Sequence, residues 1–182
     1  DALYFPNRHL PVRADFFNHA AQQLRTRALV KVYAWLPVLA YKLPDDNPVS
    51  HMTVEHDQPQ NNIVPRHDQR LSPFYPEVRE LIGDIYEDLA KYDRIDGILF
   101  HDDAYLTDHE DGSPAALVYY QQIWGLPDTL GEIRGSPRPL AEWSARKTQF
   151  LLDFTDELSA RVRQYRPDIK TVRNLYAEVI LH

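Results

Sequence analysis

Apolar positions recur with a helical spacing between residues 76 and 92. They fall at i, i+3, i+4, i+7 and i+11, at Val78, Leu81, Ile82, Ile85 and Leu89. Pro76 and the acidic residues after it are typical of a helix start. The next apolar run, residues 95–100, is short and nearly continuous, which predicts a strand buried on both faces.

The same order of helix and strand occurs twice more. Residues 15–28 predict a helix and residues 29–36 a strand, while residues 140–165 predict a long helix before a strand at 170–176. The apolar face of the first helix comprises Phe16, Phe17, Ala20, Ala21 and Leu24, and that of the long helix Trp143, Phe150, Leu151, Phe154, Leu158 and Val162. Repeated helix–strand units are typical of a parallel sheet, so we predict an α/β fold.

Two long loops interrupt this pattern, at residues 43–70 and 101–114, and Ser113-Pro114 starts a further helix after the second. Long loops in an α/β domain are usually functional or disordered. A (β/α)8 barrel needs roughly 250 residues, so the 182 residues of this chain could form only part of one. We expect a piece of a larger domain, and a complete small α/β sheet is the alternative.

Composition removes several classes of function. The net charge of −7 speaks against a nucleic-acid partner, and the absence of cysteine excludes disulfides, thiolate nucleophiles and zinc–thiolate sites. The chain lacks the glycine-rich phosphate-binding motifs and G-x-S-x-G, which excludes the common nucleotide sites and the serine-hydrolase elbow. An acidic enzyme and an acidic binding domain both remain compatible.

The richest chemistry follows the strand at residues 95–100. Ligands of parallel α/β folds bind at the carboxyl ends of the strands, and this strand leads directly into His101, Asp102 and Asp103, with Asp108 further along the loop. Two nearby carboxylates raise the pKa of one of them, which suits cleavage of a glycosidic bond. The alternative is that Asp102 and Asp103 cap the following segment and bind loop amides.

Adjacent side chains of an extended segment point to opposite faces, so one of Asp102 and Asp103 should hold a loop while the other faces the ligand. His101 beside two carboxylates is also compatible with a metal site. No second histidine follows at a recognisable ligand spacing, so we expect His101 either to face the substrate or to support a residue that does, with no metal and no cofactor in this segment.

Further candidates surround the same edge. Tyr33 and Trp35 share one face of their strand and are either core residues or a stacking platform. Arg8 and His9, near the start of the chain, and Asn174 and Tyr176, near its end, are candidate substrate contacts. Trp124 and Trp143 are predicted to be packing residues.

Several segments together resemble a known family. Residues 4–11, 31–37, 70–73, 96–104 and 170–177 are similar to the C-terminal domain of the PgaB/HmsF family of poly-β-1,6-N-acetylglucosamine de-N-acetylase lipoproteins from Gram-negative biofilm systems. The resemblance implies a TIM-barrel-like, glycoside-hydrolase-related (β/α)8 fold. Residues 1–182 would then be one partial domain, about the middle half of the barrel.

The resemblance also implies a function. It points to an endo-glycosidase acting on the partially de-N-acetylated polymer, with a catalytic cluster at Asp102, Asp103 and Asp108. Substrate contacts would come from Arg8, His9, Tyr33, Trp35, His101, Asn174 and Tyr176. A binding domain that guides the polymer to an outer-membrane export porin is the alternative. The implied partners are the polymer, an N-terminal deacetylase domain of the same protein and the porin. The implied location is the periplasm, where the full-length lipoprotein is anchored at the outer membrane.

Overall fold

The computed structural model describes residues 2–56, 70–92 and 94–174. Over these residues the chain alternates helices with short strands. In chain order they are α1 (Phe16–Arg27), β1 (Tyr33–Leu36), α2 (Pro76–Tyr92), β2 (Gly97–Phe100), α3 (Pro114–Gln122), α4 (Leu130–Arg134), α5 (Pro137–Tyr165) and β3 (Lys170–Arg173). No helix in these ranges is both long and apolar enough to cross a membrane.

The three strands form one parallel sheet in the order β1-β2-β3. Leu36, Phe100 and Arg173 lie in one row across it, so the three strands end at the same level. The α/β class and the parallel pairing predicted from the sequence are confirmed, and the sheet is consistent with part of a barrel. The predicted strand at 170–176 ends at Arg173, and residues 175–182 lie outside the described residues.

The sheet has one covered face and one open face. Ala34, Leu36, Ile98 and Phe100 alternate onto the covered face and are all buried. Trp35 on the open face is 59% exposed. The open face also carries Tyr33 and Val172, which are exposed as well. An apolar sheet face normally packs against another layer, and this face is the less covered of the two among the described residues.

Helix α2 follows its apolar pattern closely. All five positions of the predicted stripe are buried, and the predicted bounds are confirmed: Val78, Leu81, Ile82, Ile85 and Leu89. The Tyr86 hydroxyl, on the same helix, donates to the carbonyls of Leu36 and Pro37 at 3.2 and 3.0 Å. A side chain of α2 thus contacts the backbone where β1 ends.

Helix α1 forms where the sequence predicts it, but its apolar stripe is not a buried face. Phe16 is 65% exposed and Leu24 is 47% exposed, while Ala21 is buried. The predicted helix is therefore present, and Phe16 and Leu24 do not contribute to a buried face of it. Periodicity indicates which side of a helix can be buried, and it does not supply the surface that covers that side.

The described residues divide into two compact units. The first comprises segments within Asp1–Val38, Leu81–Ala104 and Thr155–His182, and the second comprises Leu39–Glu80 and Tyr105–Phe154. Aromatic rings dominate the core of the second unit. Phe74 stacks on Phe150 with centroids 4.5 Å apart, and Tyr120 stacks on Trp124 at 5.0 Å. Trp143 is fully buried in the same cluster, so the predicted packing role of both tryptophans is confirmed.

Gly97 provides the space in which the Tyr33 ring lies. A Cβ on Gly97 would fall 2.1 Å from Tyr33 Cε1 and 2.8 Å from the backbone oxygen of Lys170. The ring could move, but the strand β3 backbone would have to shift as well. We expect Gly97→Ala to lower the free energy of unfolding by about 1–3 kcal/mol, measured by chemical denaturation.

Gly131 is the matched control, because it lies in helix α4 and a Cβ there meets nothing within 4 Å. Gly131→Ala should be neutral or stabilising by up to about 1 kcal/mol. Equal stability of the two variants would contradict the steric role of Gly97.

Candidate functional site

The carboxyl ends of the strands present polar side chains at one edge of the first unit. His101 continues the ladder beyond β2, because its amide donates to the Leu36 carbonyl at 3.0 Å. Asp102 and Asp103 follow at once, and Asn174 follows β3 with its side chain exposed. Parallel pairing thus brings residues from distant parts of the sequence to the same edge.

Asp103 is a buried carboxylate that holds the exit of the neighbouring strand. Its side chain is 7% exposed, and both of its oxygens accept from the amide of Val38, at 3.0 and 3.1 Å. Val38 is itself fully buried, so its amide depends on partners within the protein. The contact ties the segment after β2 to the segment after β1.

Asp102 lies on the accessible side, next to an aromatic pair. His101 stacks on Trp35 with ring centroids 4.9 Å apart and planes inclined by 24°. The Nδ1 atom of His101 lies 2.9 Å from Asp102 Oδ1 and 3.4 Å from Asp103 Oδ1, without the alignment of a hydrogen bond. The Asp102 side chain is 42% exposed. The edge therefore carries an indole, an imidazole and an accessible carboxylate next to one another in space.

Arg8 and His9 contact helix α2 instead of the strand ends. The Arg8 guanidinium donates from Nε to both oxygens of Asp88 at 3.0 Å, and it also pairs with Asp84 and Glu87. The hydrogen bond to Asp88 and the nearby acidic charges raise the pKa of Arg8, although burial opposes them. His9 Nε2 lies 2.7 Å from Asp84 Oδ2.

These partners lie in the second half of α2, which leads into the amino end of β2. The contacts give Arg8 and His9 a structural role, and their part in substrate binding stays a prediction. Tyr176 lies outside the described residues.

The loop of residues 105–111, in the second unit, carries Asp108 on its exposed side. Asp108 Oδ1 accepts a 2.7 Å hydrogen bond from the hydroxyl of Ser144, on helix α5. One turn further along α5, Lys147 donates from Nζ to the carbonyl oxygens of Thr107 and Glu110, the latter at 2.5 Å. Two side chains of one helix therefore hold this loop, Ser144 at Asp108 itself and Lys147 on either side of it.

Glu110 holds the same loop through its carboxylate. Its carboxylate accepts from Arg70 Nη2 at 2.5 Å and from the Thr107 amide at 2.9 Å, and His56 Nε2 lies 2.8 Å away. Burial alone would raise the pKa of Glu110, but the Thr107 amide, Arg70 and His56 lower it below its usual value. Glu110 is thus a structural carboxylate in its ionised form.

Asp111 is fully buried next to Glu110. Its Oδ1 accepts from the amides of Glu55 and Ser113, at 3.1 and 2.8 Å. Burial raises the pKa of Asp111, and the hydrogen bonds from Ser72, Ser113 and the Glu55 amide only partly oppose that rise. Asp111 holds the residues at which the loop enters helix α3.

Sequence reasoning did not identify Ser144, Lys147, Arg70 or Glu110. One signal was available for Lys147, because it lies four residues after Trp143 and so in phase with the apolar stripe of α5. A lysine on a buried helix face usually has a specific partner. The others cannot be found by spacing, since their partners are far away in the sequence.

The predicted approach of Asp108 to Asp102 joins residues of different units and stays a prediction. Among residues 2–56, 70–92 and 94–174, no group of three or more His, Asp or Glu side chains could hold a metal ion.

Asp103→Ala should unmask the structural role of this carboxylate. The change leaves the buried Val38 amide without these two acceptors, so we expect a loss of about 1–3 kcal/mol in the free energy of unfolding, measured by chemical denaturation. Asp102→Ala, at the neighbouring accessible position, should change stability by less than about 0.5 kcal/mol. The reverse order of the two effects would contradict this assignment.

Lys147 should make stability depend on pH in the alkaline range. Burial lowers the pKa of Lys147 from its ordinary 10.5 to about 8, against the opposing charges of Asp108, Glu110 and Asp111. Between these values the unfolded chain keeps a proton that the folded protein has released, so stability rises with pH by up to about 1.4 kcal/mol per unit.

The measurement compares the unfolding free energies of the parent and Lys147→Met from pH 7.5 to about 10. Subtracting the variant removes the contribution of other groups, and the difference should increase with pH in favour of the parent. A flat or falling difference would show that folding does not lower the pKa of Lys147.

Comparison with known proteins gives this arrangement a context. The chain matches the sequence profile of GHL13, hypothetical glycosyl hydrolase family 13, over residues 1–182. It is 48% identical over 177 residues to the poly-beta-1,6-N-acetyl-D-glucosamine N-deacetylases of Escherichia coli strains K12 and O157:H7. That alignment covers 96% of this chain and 26% of the relatives, so the chain spans about a quarter of their length.

The fold has a similar relative among solved structures. The PgaB (BpsB) glycoside hydrolase domain from Bordetella bronchiseptica shares 48% sequence identity with this chain and superposes with a TM-score of 0.90. The match covers 99% of this chain and 52% of that domain. The resemblance inferred from the sequence segments is thereby confirmed. On the full-length match to its profile, the chain belongs to hypothetical glycosyl hydrolase family 13.

Proposed function

We propose that residues 1–182 form one partial domain, about the middle half of a (β/α)8 barrel. The open sheet face supports this, because Tyr33, Trp35 and Val172 are exposed where a barrel would have its interior. The similar Bordetella domain is about twice as long as the matched region, since 99% of this chain covers 52% of it. The remaining strands of the barrel would then cover the open face around Tyr33 and leave Trp35 at the mouth, near the carboxyl end of β1.

We further propose that this barrel is an endo-glycosidase for partially de-N-acetylated poly-β-1,6-N-acetylglucosamine. The observation that carries the proposal is the accessible carboxylate of Asp102, beside the stacked pair of His101 and Trp35 at the carboxyl edge of the sheet. Sugars bind through stacking of their apolar faces on aromatic rings and through polar groups at the ring edge. The family and the polymer named for the Escherichia coli relatives supply the substrate class.

Cleavage requires a carboxylic acid that protonates the glycosidic oxygen as the bond breaks. Asp103 is the least suitable of the three candidates, because both of its oxygens accept from the Val38 amide. The general acid is therefore Asp102 or Asp108. The second catalytic group, which acts together with this acid, is either another carboxylate or the 2-acetamido group of the substrate.

The remaining predicted substrate contacts extend this site. The substrate groove would lie at the carboxyl edge of the sheet. Its lining would be His101, Tyr33 and Trp35, with Asn174 and Tyr176 following β3. Arg8 and His9 would contribute from the amino-terminal segment, in addition to their contacts with α2.

Charge complementarity favours a partly deacetylated polymer. Free glucosamine amines are protonated near neutral pH, and the chain has a net charge of −7. An acidic edge raises the local concentration of such a cationic ligand. We place the reaction in the periplasm, in a lipoprotein anchored at the outer membrane, with an N-terminal deacetylase domain and an export porin as partners.

A non-catalytic polysaccharide-binding domain is the second candidate. The exposure of Trp35 favours it, because a stacking platform is sufficient to hold and guide a polymer towards an export porin. Both functions need the same groove, and only the enzyme needs a proton donor.

The test uses the full-length protein that carries this chain, with partially de-N-acetylated β-1,6-glucosamine oligomers as substrate and mass spectrometry of the products. We expect shorter oligomers from the parent. Asp102→Asn or Asp108→Asn should reduce cleavage by at least about 100-fold, while binding persists. Asp103→Asn, which keeps an acceptor for the Val38 amide, should act mainly on stability.

Intact oligomers from the parent, with binding retained, would contradict the enzyme and favour the binding domain. In that case the aspartate variants should lower affinity by only about 1–3 kcal/mol, as expected for a lost hydrogen bond to a charged group.

A further inference from the structure

Helix α5 presents two polar side chains to the loop that carries Asp108. Ser144 and Lys147 lie three residues apart, which places them on the same side of the helix, one turn apart. Ser144 contacts the carboxylate itself, and Lys147 contacts the backbone on both sides of it. The loop is therefore fixed at its functional side chain and at its main chain by a single rigid element.

The contacts of Lys147 are unusual for a lysine. The side chain is 2% exposed, and its Nζ lies 3.3 Å from the centroid of the Trp143 ring. Its hydrogen-bond acceptors are the carbonyls of Thr107 and Glu110, and no ion pair with a carboxylate accompanies them among the described residues. Burial of a cation is costly, so this position requires a compensating function or a compensating set of contacts.

Among residues 2–56, 70–92 and 94–174, the hydrogen bond from Ser144 engages one oxygen of Asp108 and none is seen at the other. The hydroxyl donates to Oδ1 at 2.7 Å, and the side chain of Asp108 is otherwise on the exposed side of the loop. A carboxylate held by one oxygen presents the other in a fixed direction. Such support from a neighbouring side chain is what an acid or a cation-binding carboxylate requires.

We propose that Ser144 and Lys147 are positioning residues for Asp108, and that α5 sets the direction in which this carboxylate meets a glucosamine-containing substrate. The inference rests on the proposed function, because it assumes that Asp108 takes part in the site. It adds two residues that act through Asp108 without contacting the substrate.

The experiment uses the full-length protein and the partially de-N-acetylated β-1,6-glucosamine oligomers, with kcat, KM and oligomer affinity as readouts. Ser144→Ala should lower the same parameter that Asp108→Asn lowers, by about tenfold to a hundredfold. Ser144→Thr, which keeps the hydroxyl, should restore most of it. Thr148→Ala is the matched control, since Thr148 donates only to the Ser144 carbonyl within the same helix and should leave all three parameters unchanged.

A double variant separates positioning from a general loss of structure. In an Asp108→Ala background, Ser144→Ala should have no further effect on affinity or on residual cleavage, because the side chain that Ser144 contacts is gone. Additive losses would overturn the proposal, as would a Ser144→Ala protein with parental kinetics.

Lys147→Met supplies an independent readout. It removes the donor to both carbonyls, so hydrogen exchange at the amides of Thr107 and Glu110 should accelerate relative to the rest of the protein. Unchanged exchange in a folded variant would contradict the role of Lys147. If Lys147→Met does not fold, the Ser144 variants alone decide.

The outcomes distinguish a failure of the proposed glycosidase function from a failure of the positioning role. Cleavage by the parent with normal kinetics in Asp108→Asn would leave the glycosidase on Asp102 and would overturn the positioning role. A parent that neither binds nor cleaves the oligomers would overturn both.

Discussion

Parallel pairing of three four-residue strands is the constraint on which the first unit depends. The row of Leu36, Phe100 and Arg173 fixes where each strand ends, and the residues that follow it therefore meet at one edge. The Asp103 carboxylate reinforces this arrangement through the Val38 amide, which carries the alignment of β1 and β2 beyond the last ladder bond. Asp102 is left accessible because its neighbour in sequence takes the structural role.

In the second unit, long-range polar contacts hold the irregular loop of residues 105–111 in place without a sheet. Arg70 donates to the Tyr105 carbonyl and to Glu110, His56 contacts Glu110, and Lys147 donates to two further carbonyls. Each of these side chains contacts a backbone oxygen or the buried carboxylate of Glu110, and buried polar groups of this kind are normally paired. The loop is consequently irregular in conformation and still extensively bonded.

The sequence predicts the regular elements well and the loop contacts poorly, and the reason is physical. Helices α2 and α5 bury most of their stripe, so their periodicity is strong and their bounds differ from the prediction by at most three residues at either end. The stripe of α1 has the same spacing, but Phe16 and Leu24 remain exposed, because spacing does not encode the covering surface. The edge cluster at 101–103 is predictable because it is contiguous. Ser144 and Lys147 contact residues 36 and 40 positions away, and no local pattern reports such a pair.

The stack of Trp35 on His101 also gives this protein a built-in optical reporter. The sequence contains three tryptophans, and in the structure Trp143 is fully buried while Trp35 is 59% exposed. Light emitted by Trp143 and by the half-buried Trp124 should be blue-shifted and shielded from small quenchers in solution, whereas emission from Trp35 should be red-shifted and accessible to them. Because the Trp35 indole stacks on His101 at this edge, a ligand that enters the edge should change the emission of Trp35. Occupation of the groove is therefore visible in the intrinsic fluorescence of the unlabelled protein.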